Sequence, residues 1–167
     1  MKISAANFTF CAKPANYLKI DDILSRSAQP QKEDFLWLKR QGITDVINFR
    51  TMYAPAVSFN EEEVVKELGM KYHNIPSYTR HPKEANILRF LELIENIAQN
   101  NGKAHMHCKA GADRTGMYAF IYKSMKNIGN AKTNKDEWLK MGHNNQLYPD
   151  LISWTQNFVK VLKKLKR

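Results

Sequence analysis

The sequence predicts an α/β protein built round a central, mostly parallel sheet flanked by helices, on three observations. Strand-like and helix-like segments alternate from about residue 20 to about residue 127, and only helices follow. A length of 167 residues fits one domain and is enough to bury a single core. A hydrophobic content of 43% with a mean hydropathy of −0.55 excludes both a disordered chain and a multi-span membrane protein.

The elements follow from local signals. Ile20 to Gln29 reads as a strand region closed by Pro30, and Gln31 to Gln41 as a helix with apolar Phe35, Leu36 and Leu38 and a stop at Gly42. Ile43 to Phe49 is β-branched and strand-like, Asn60 to Leu68 is a helix ended by Gly69, and Lys71 to Ile75 is a short strand before Pro76. Lys83 to Gln99 carries Leu88, Leu91, Ile94 and Ile97 at helical spacing. Lys103 to His107 is the next strand, Arg114 to Asn127 a helix, and helices follow over about Asn134–Met141 and Tyr148–Lys164. The tryptophans, Trp37, Trp138 and Trp154, fall on these helices and are expected to pack in or near the core.

Lys plus Arg number 26 against 16 Asp plus Glu, a net charge of +10, which predicts anionic partners without choosing among nucleic acid, lipid headgroups and phosphorylated substrates. Two cysteines, Cys11 and Cys108, argue for free thiols and a reduced, cytoplasmic setting. The stretch Met1 to Cys11 is too short and too interrupted to read as a signal peptide, although a secreted or periplasmic setting follows if an export signal was trimmed from a precursor. No run of about 18 apolar residues exists to span a membrane. The basic end, Val159 to Arg167, reads as a surface helix with a solvated face, leaving room for peripheral membrane contact.

In parallel sheets ligands sit beyond the carboxyl ends of the strands, which directs attention to the loop after Lys103–His107. It reads His107-Cys108-Lys109-Ala110-Gly111-Ala112-Asp113-Arg114-Thr115-Gly116. A turn leading into a helix can converge its backbone N–H groups, with the helix's own positive potential, on an anion. Gly111 permits a conformation that a side chain resists, and the planar fork of Arg114 can grip two phosphate oxygens. The same field favours the thiolate of Cys108, a nucleophile at neutral pH, and Thr115 can hydrogen-bond that sulfur as it leaves. A lone Cys after a strand is usually a small buried hydrophobe. The joint pattern is expected by chance far less than once in ~10⁶ starting positions.

This decapeptide resembles the signature of the cysteine-dependent protein tyrosine phosphatase superfamily, nearest its compact dual-specificity-like and lipid-phosphatase branches. Leu24-Ser25-Arg26-Ser27-Ala28-Gln29-Pro30 and Gly42 to Arg50 resemble the amino half of small bacterial and fungal members, so the resemblance spans about residues 17 to 127. It implies a single phosphatase-type (dual-specificity-like) domain over 1–167, with its core at about 17–127 and added helices at about 130–166. It also implies phosphomonoester hydrolysis through a phosphocysteine, without metal or cofactor. Cys108 would attack phosphorus, Arg114 and the loop from His107 through Lys109, Ala110, Gly111 and Ala112 would hold the phosphate, and Thr115 would assist the leaving thiolate.

Many members of the superfamily carry the general acid as an Asp on a separate upstream loop, yet Asn74 to Glu84 contains no Asp. Asp113 stands where myotubularins and some secreted bacterial members carry one, so Asp113 is the expected acid, with Glu84 and His81 as alternatives. Arg80, His81 and Lys83 are expected at the mouth of the site. Lys109 belongs to a Cys-Lys-Ala-Gly run shared with a lipid 3-phosphatase, although Ala112 replaces a second loop lysine. Arg26 and Arg50 end strand-like segments and are expected to pair with a carboxylate or line the pocket, Arg50 as a structural neighbour of the site. The expected substrate is a phosphotyrosyl or dual-specificity protein substrate, with phosphoinositide or inositol phosphate as the alternative and an RNA 5′-phosphate as the second. Nucleic acid is disfavoured because no basic surface interleaved with aromatics is evident. A monomer is expected, with phosphate or sulfate bound in the loop.

Overall fold

A computed structural model describes residues 11–51 and 57–166, so most of the stretch weighed as a signal peptide, Met1 to Phe10, lies outside the described residues. The chain order is β1 (Leu18–Lys19), β2 (Leu24–Ser27), α1 (Asp34–Arg40), β3 (Asp45–Asn48), α2 (Glu61–Glu67), β4 (Lys71–Asn74), α3 (Glu84–Gln99), β5 (Ala104–His107), α4 (Asp113–Met125), α5 (Ala131–Lys140) and α6 (Leu151–Leu165). The sheet runs β1-β2-β5-β3-β4. β2, β5, β3 and β4 are parallel, and β1 pairs antiparallel with β2.

Local chemistry moves some boundaries. The strand region expected from Ile20 divides, because the Asp21 carboxylate accepts from the N–H groups of Ile23 and Leu24 and closes a turn between β1 and β2. α1 begins at Asp34 rather than Gln31, since the Asp34 side chain accepts from the Gln31 N–H and fixes a turn ahead of the helix. α5 begins earlier than expected because Asn130 and Thr133 form a reciprocal capping box. α6 starts only after Pro149, which lacks the N–H a continuing helix needs.

Alternation along β3 divides the core. Val46 faces Phe35, Leu38, Val64 and Val65 of α1 and α2. Ile47 faces a larger cluster formed with Phe90 and Ile94 of α3, Tyr118 and Ile121 of α4, and Phe158 and Leu162 of α6. Both faces of the sheet are therefore covered, as a parallel sheet requires. α4 is buried round most of its circumference and packs against α5 and α6. Phe49, just past β3, stacks on Tyr118 at 3.8 Å and meets Phe90 edge-on at 5.8 Å. Each such ring buried in full contributes about 2 kcal/mol over leaving it in water. The register pairs Ser27, His107, Asn48 and Asn74 across the sheet, so β2, β5, β3 and β4 end level on the side where the loop begins. Among the described residues no helix is long and apolar enough to cross a membrane.

His105, at the sheet's centre, is fully buried between two hydroxyls, with Ser25 Oγ 2.9 Å from Nδ1 and Ser27 Oγ 2.8 Å from Nε2. Burial, and secondarily the neighbouring His107, hold its pKa well below the usual 6.5. The folded ring therefore stays neutral while the unfolded ring takes up a proton as pH falls through about 6.5, so its share of stability is present above that pH and lost below it. His105→Gln is expected to reduce the pH 7 to pH 5.5 loss of unfolding free energy by about 1 kcal/mol, as read by denaturant titration at both pH values. An unchanged loss would exclude this residue as its source.

Candidate active site

The loop from His107 to Asp113 is shaped from outside. His107 Nδ1 lies 3.2 Å from the Cys108 carbonyl, and the Gln29 N–H donates to the Lys109 carbonyl at 3.0 Å. Asn16 Nδ2 donates to the Ala110 carbonyl at 3.1 Å, and Arg26 Nη2 to the Gly111 carbonyl at 2.6 Å. Trp138 Nε1 donates to the Ala112 carbonyl at 3.1 Å. In a trans peptide the C=O and the next N–H point opposite ways. Holding each carbonyl from Cys108 to Ala112 outward turns the N–H groups of residues 109–113 toward the concave side. This is the arrangement an anion needs, and it opens at the N-terminus of α4.

Gly111 has φ +68°, and a Cβ there would meet the backbone of Ser27 and Ala28 at 2.4 Å. Any side chain would push the loop off β2. Gly116 likewise lets Trp138 lie flat on α4, since a Cβ there would fall 2.0 Å from Nε1.

Cys108 is buried at 2% exposure at the head of this loop, and Arg114 opens α4, its Nη1 donating to the Phe49 carbonyl at 3.4 Å. Thr115 is fully buried, and its hydroxyl has no hydrogen-bond partner. Lys109 and Ala110 are exposed on the loop's rim.

Behind His107 runs a chain of polar contacts. Its Nε2 lies 2.7 Å from Glu61 Oε1, and the other Glu61 oxygen accepts from Gln29 Nε2 at 2.7 Å. Gln29 Oε1 in turn accepts from Arg50 Nη1 at 2.6 Å. Burial pushes the Glu61 carboxyl up, but His107, Gln29 and Arg50 more than offset it and leave it below the ordinary carboxylate range. The sequence reading placed Arg50 beside the site, and here it lies within this network. It missed Glu61, because nothing local distinguishes the first acidic residue of a helix from a dipole partner.

Asp113 is held in one orientation. Its Oδ1 lies 2.7 Å from Nδ1 of buried His143 and accepts from the Asn144 N–H at 2.9 Å, and among the described residues no hydrogen bond fixes Oδ2. His143 also packs against Trp138, with ring centroids 4.9 Å apart. The sequence gives no sign of His143, which lies 30 residues away and beyond the recognisable segments.

From Asn144 the chain turns into the wall of a cavity. Leu147 and Tyr148 bond back to Asn144, and with Arg80, His81 and Trp154 they line a space of about 280 Å³. The Arg80 guanidinium lies 5.5 Å over the Tyr148 ring. Lys83 and Glu84 stand exposed at the start of α3, outside this cavity's lining. Of the expected mouth residues the structure thus brings together Arg80 and His81, but not Lys83. Among the described residues no group of three or more His, Cys, Asp or Glu could hold a metal ion.

With this geometry in hand, comparisons place the chain among known proteins. The model of the Tc-R-P family, polymorphic toxin system DSP-PTPase phosphatases, matches residues 23–124. The dual specificity protein phosphatase TpbA of Pseudomonas aeruginosa is 24% identical over 108 residues, covering 65% of this chain and 46% of that protein. A beta-lactamase hydrolase-like protein of Xylella fastidiosa is 28% identical over 132 residues, 75% of this chain and 29% of that protein. The chain thus spans half or less of the length of these curated relatives. The crystal structure of P. aeruginosa TpbA superposes with a TM-score of 0.71 at 19% identity, over 92% of each chain. The catalytic domain of the PP-IP phosphatase SIW14 from S. cerevisiae does so with a TM-score of 0.69 at 19% identity, over 90% of this chain and 87% of that one. Both likenesses are of fold.

Two substitutions test the outward anchoring. Trp138→Phe keeps an aromatic ring but removes the indole donor, leaving the Ala112 carbonyl only the Gly116 N–H at 2.9 Å, and is expected to weaken vanadate binding about fivefold, the worth of one net hydrogen bond. Gly111→Ala is expected to abolish vanadate binding and lower the melting temperature. Wild-type vanadate affinity in both variants would remove the loop's dependence on these contacts.

Proposed function

The chain belongs to the DSP-PTPase phosphatase family of polymorphic toxin systems, and we propose that it hydrolyses phosphomonoesters through a phosphocysteine on Cys108, acting on a phosphorylated protein. The single observation that carries the reaction is the outward hold on the carbonyls from Cys108 to Ala112, with Arg114 at the helix start. In the first step the Cys108 sulfur attacks phosphorus, an S–P bond forms, and the P–O bond to the leaving group breaks. Arg114 and the loop amides hold the non-bridging oxygens as charge shifts among them. Asp113, oriented through Oδ1 by His143 and Asn144, delivers a proton from Oδ2 to the departing oxygen. In the second step water attacks phosphorus and gives a proton to the now ionised Asp113, the S–P bond breaks, inorganic phosphate forms, and the sulfur leaves as thiolate with the Thr115 hydroxyl placed to donate to it.

A protein substrate is favoured by the cavity whose wall follows Asn144, the residue that bonds to Asp113. Its Leu147, Tyr148, Pro149 and Trp154 lining suits the side chains of a peptide better than a ring crowded with phosphates. The second reading, an inositol phosphate or phosphoinositide, is favoured by exposed Lys109 next to the nucleophile and by Arg80.

Assays on phosphopeptides, inositol phosphates, phosphoinositide vesicles and 5′-triphosphorylated RNA distinguish these. Phosphopeptide turnover is expected to lead, with Cys108→Ser reducing it by about 10⁴-fold or more. No turnover of any phosphomonoester by the wild type would defeat the reading. Asp113→Asn is expected to slow a poor leaving group, an alkyl phosphate, by about 10²-fold or more while an activated aryl phosphate loses far less. Equal losses on both would remove Asp113 as the acid.

A further inference from the structure

Arg26 is the least explained charge in the molecule. It lies in β2 and is completely buried. One nitrogen, Nη2, donates to the Gly111 carbonyl at 2.6 Å, whereas Nε and Nη1 have no hydrogen-bond partner among the described residues. Its nearest carboxylate, Glu137, stands 4.0 Å from Nη1 and is engaged at 2.6 Å by Lys123. A guanidinium so deep and so weakly matched is costly, and an apolar side chain of similar length would fill the volume at less cost. What the position gains must therefore lie in what the charge faces, which is the back of the loop that carries Cys108.

We infer that Arg26 is a positioning residue for the nucleophile: its fixed charge beneath the loop favours the ionised sulfur of Cys108, and its bond to Gly111 keeps the Ala112 N–H turned toward the anion. The inference rests on the reading of Cys108 as nucleophile. Arg26 remains cationic at neutral pH, for burial pulls its pKa down only to about 10 while Glu137 and Cys108 pull it back up. The division of labour with Arg114 follows from exposure. Arg114 is partly open to solvent and can pair with phosphate oxygens, whereas Arg26 is sealed off and meets no substrate. Its charge is thus present in the free enzyme, when no phosphate is bound, and again in the second step, when the sulfur must leave. The other charged or titratable groups round the loop are Arg114 and Asp113 of α4, His143 after α5, Lys109 on the rim, and His107 with Glu61 of α2 and Arg50 after β3. Behind Arg26 stand Glu137 of α5 and Lys123 of α4.

The test reads the sulfur directly. In the full chain carrying Cys11→Ser, so that Cys108 alone reports, the rate of alkylation by iodoacetamide is followed against pH. Arg26→Met is expected to raise the midpoint by about one pH unit, a tenfold loss of thiolate below it. Arg26→Lys retains the charge and is expected to restore most of that shift, although it weakens vanadate binding by altering the hold on Gly111. A merely structural role would loosen the loop and weaken vanadate binding without moving the midpoint. A folded Arg26→Met protein with the wild-type midpoint overturns the inference. If Arg26→Met does not fold, Glu137→Gln decides in its place: it removes the opposing charge and is expected to lower the midpoint, and an unchanged midpoint overturns the inference. Because alkylation needs no turnover, an Arg26-dependent midpoint in a protein that hydrolyses nothing would sink the catalytic reading and leave the electrostatic one standing.

Discussion

The outward hold on the loop carbonyls is the constraint on which the rest of this structure depends. Backbone amides are available in every protein, but they bind an anion only when several point at one place. Left alone, the carbonyls from Cys108 to Ala112 would scatter, and some would face the anion and repel it. Here each is occupied by a donor from elsewhere: His107, Gln29, Asn16, Arg26 and Trp138. The arrangement is set in advance of any ligand, so little reorganisation is left for the reaction itself.

The donors also explain the architecture around the site. β2 lies next to β5 in the sheet, and this neighbourhood lets Arg26 and Gln29 reach the loop that follows β5. Gly111 permits the approach by having nothing to interpose between the loop and Ser27. On the other flank α5 brings Trp138 over Gly116, and the segment after it brings His143 onto Asp113. The late helices therefore complete the walls of the loop that precedes α4.

How much was legible in the sequence divides along the same line. The alternation of strands and helices and the signature loop could be read because they rest on local periodicity and on residues close together in the chain. β1 was absorbed into β2 because the turn at Asp21 is made by a side chain whose role depends on its geometry. The three tryptophans were expected to pack, and Trp138 does, at 1% exposure. That its indole N–H is also a loop anchor could not be read, since it depends on a contact 26 residues away in sequence. Glu61, His143 and Asn16 were missed for the same reason: each is an ordinary surface-type residue until the fold supplies its partner. Arg26, expected to pair with a carboxylate or line the pocket, bonds a backbone carbonyl at 2.6 Å and has the Glu137 carboxylate at 4.0 Å.

The anchors come from positions as far apart as Asn16 and Trp138, and Asn16 itself bonds to the carbonyls of both Ala110 and Met141. The central sheet supplies neither of them: Asn16 precedes β1 and Trp138 lies in α5. The loop therefore cannot take its binding shape in a partly folded chain that holds only the central sheet. The sheet alone would own the cysteine and the arginine without the cradle that gives them their chemistry. Competence arrives with the docking of the segments that carry Asn16 and Trp138, which makes catalysis a report on folding beyond the sheet.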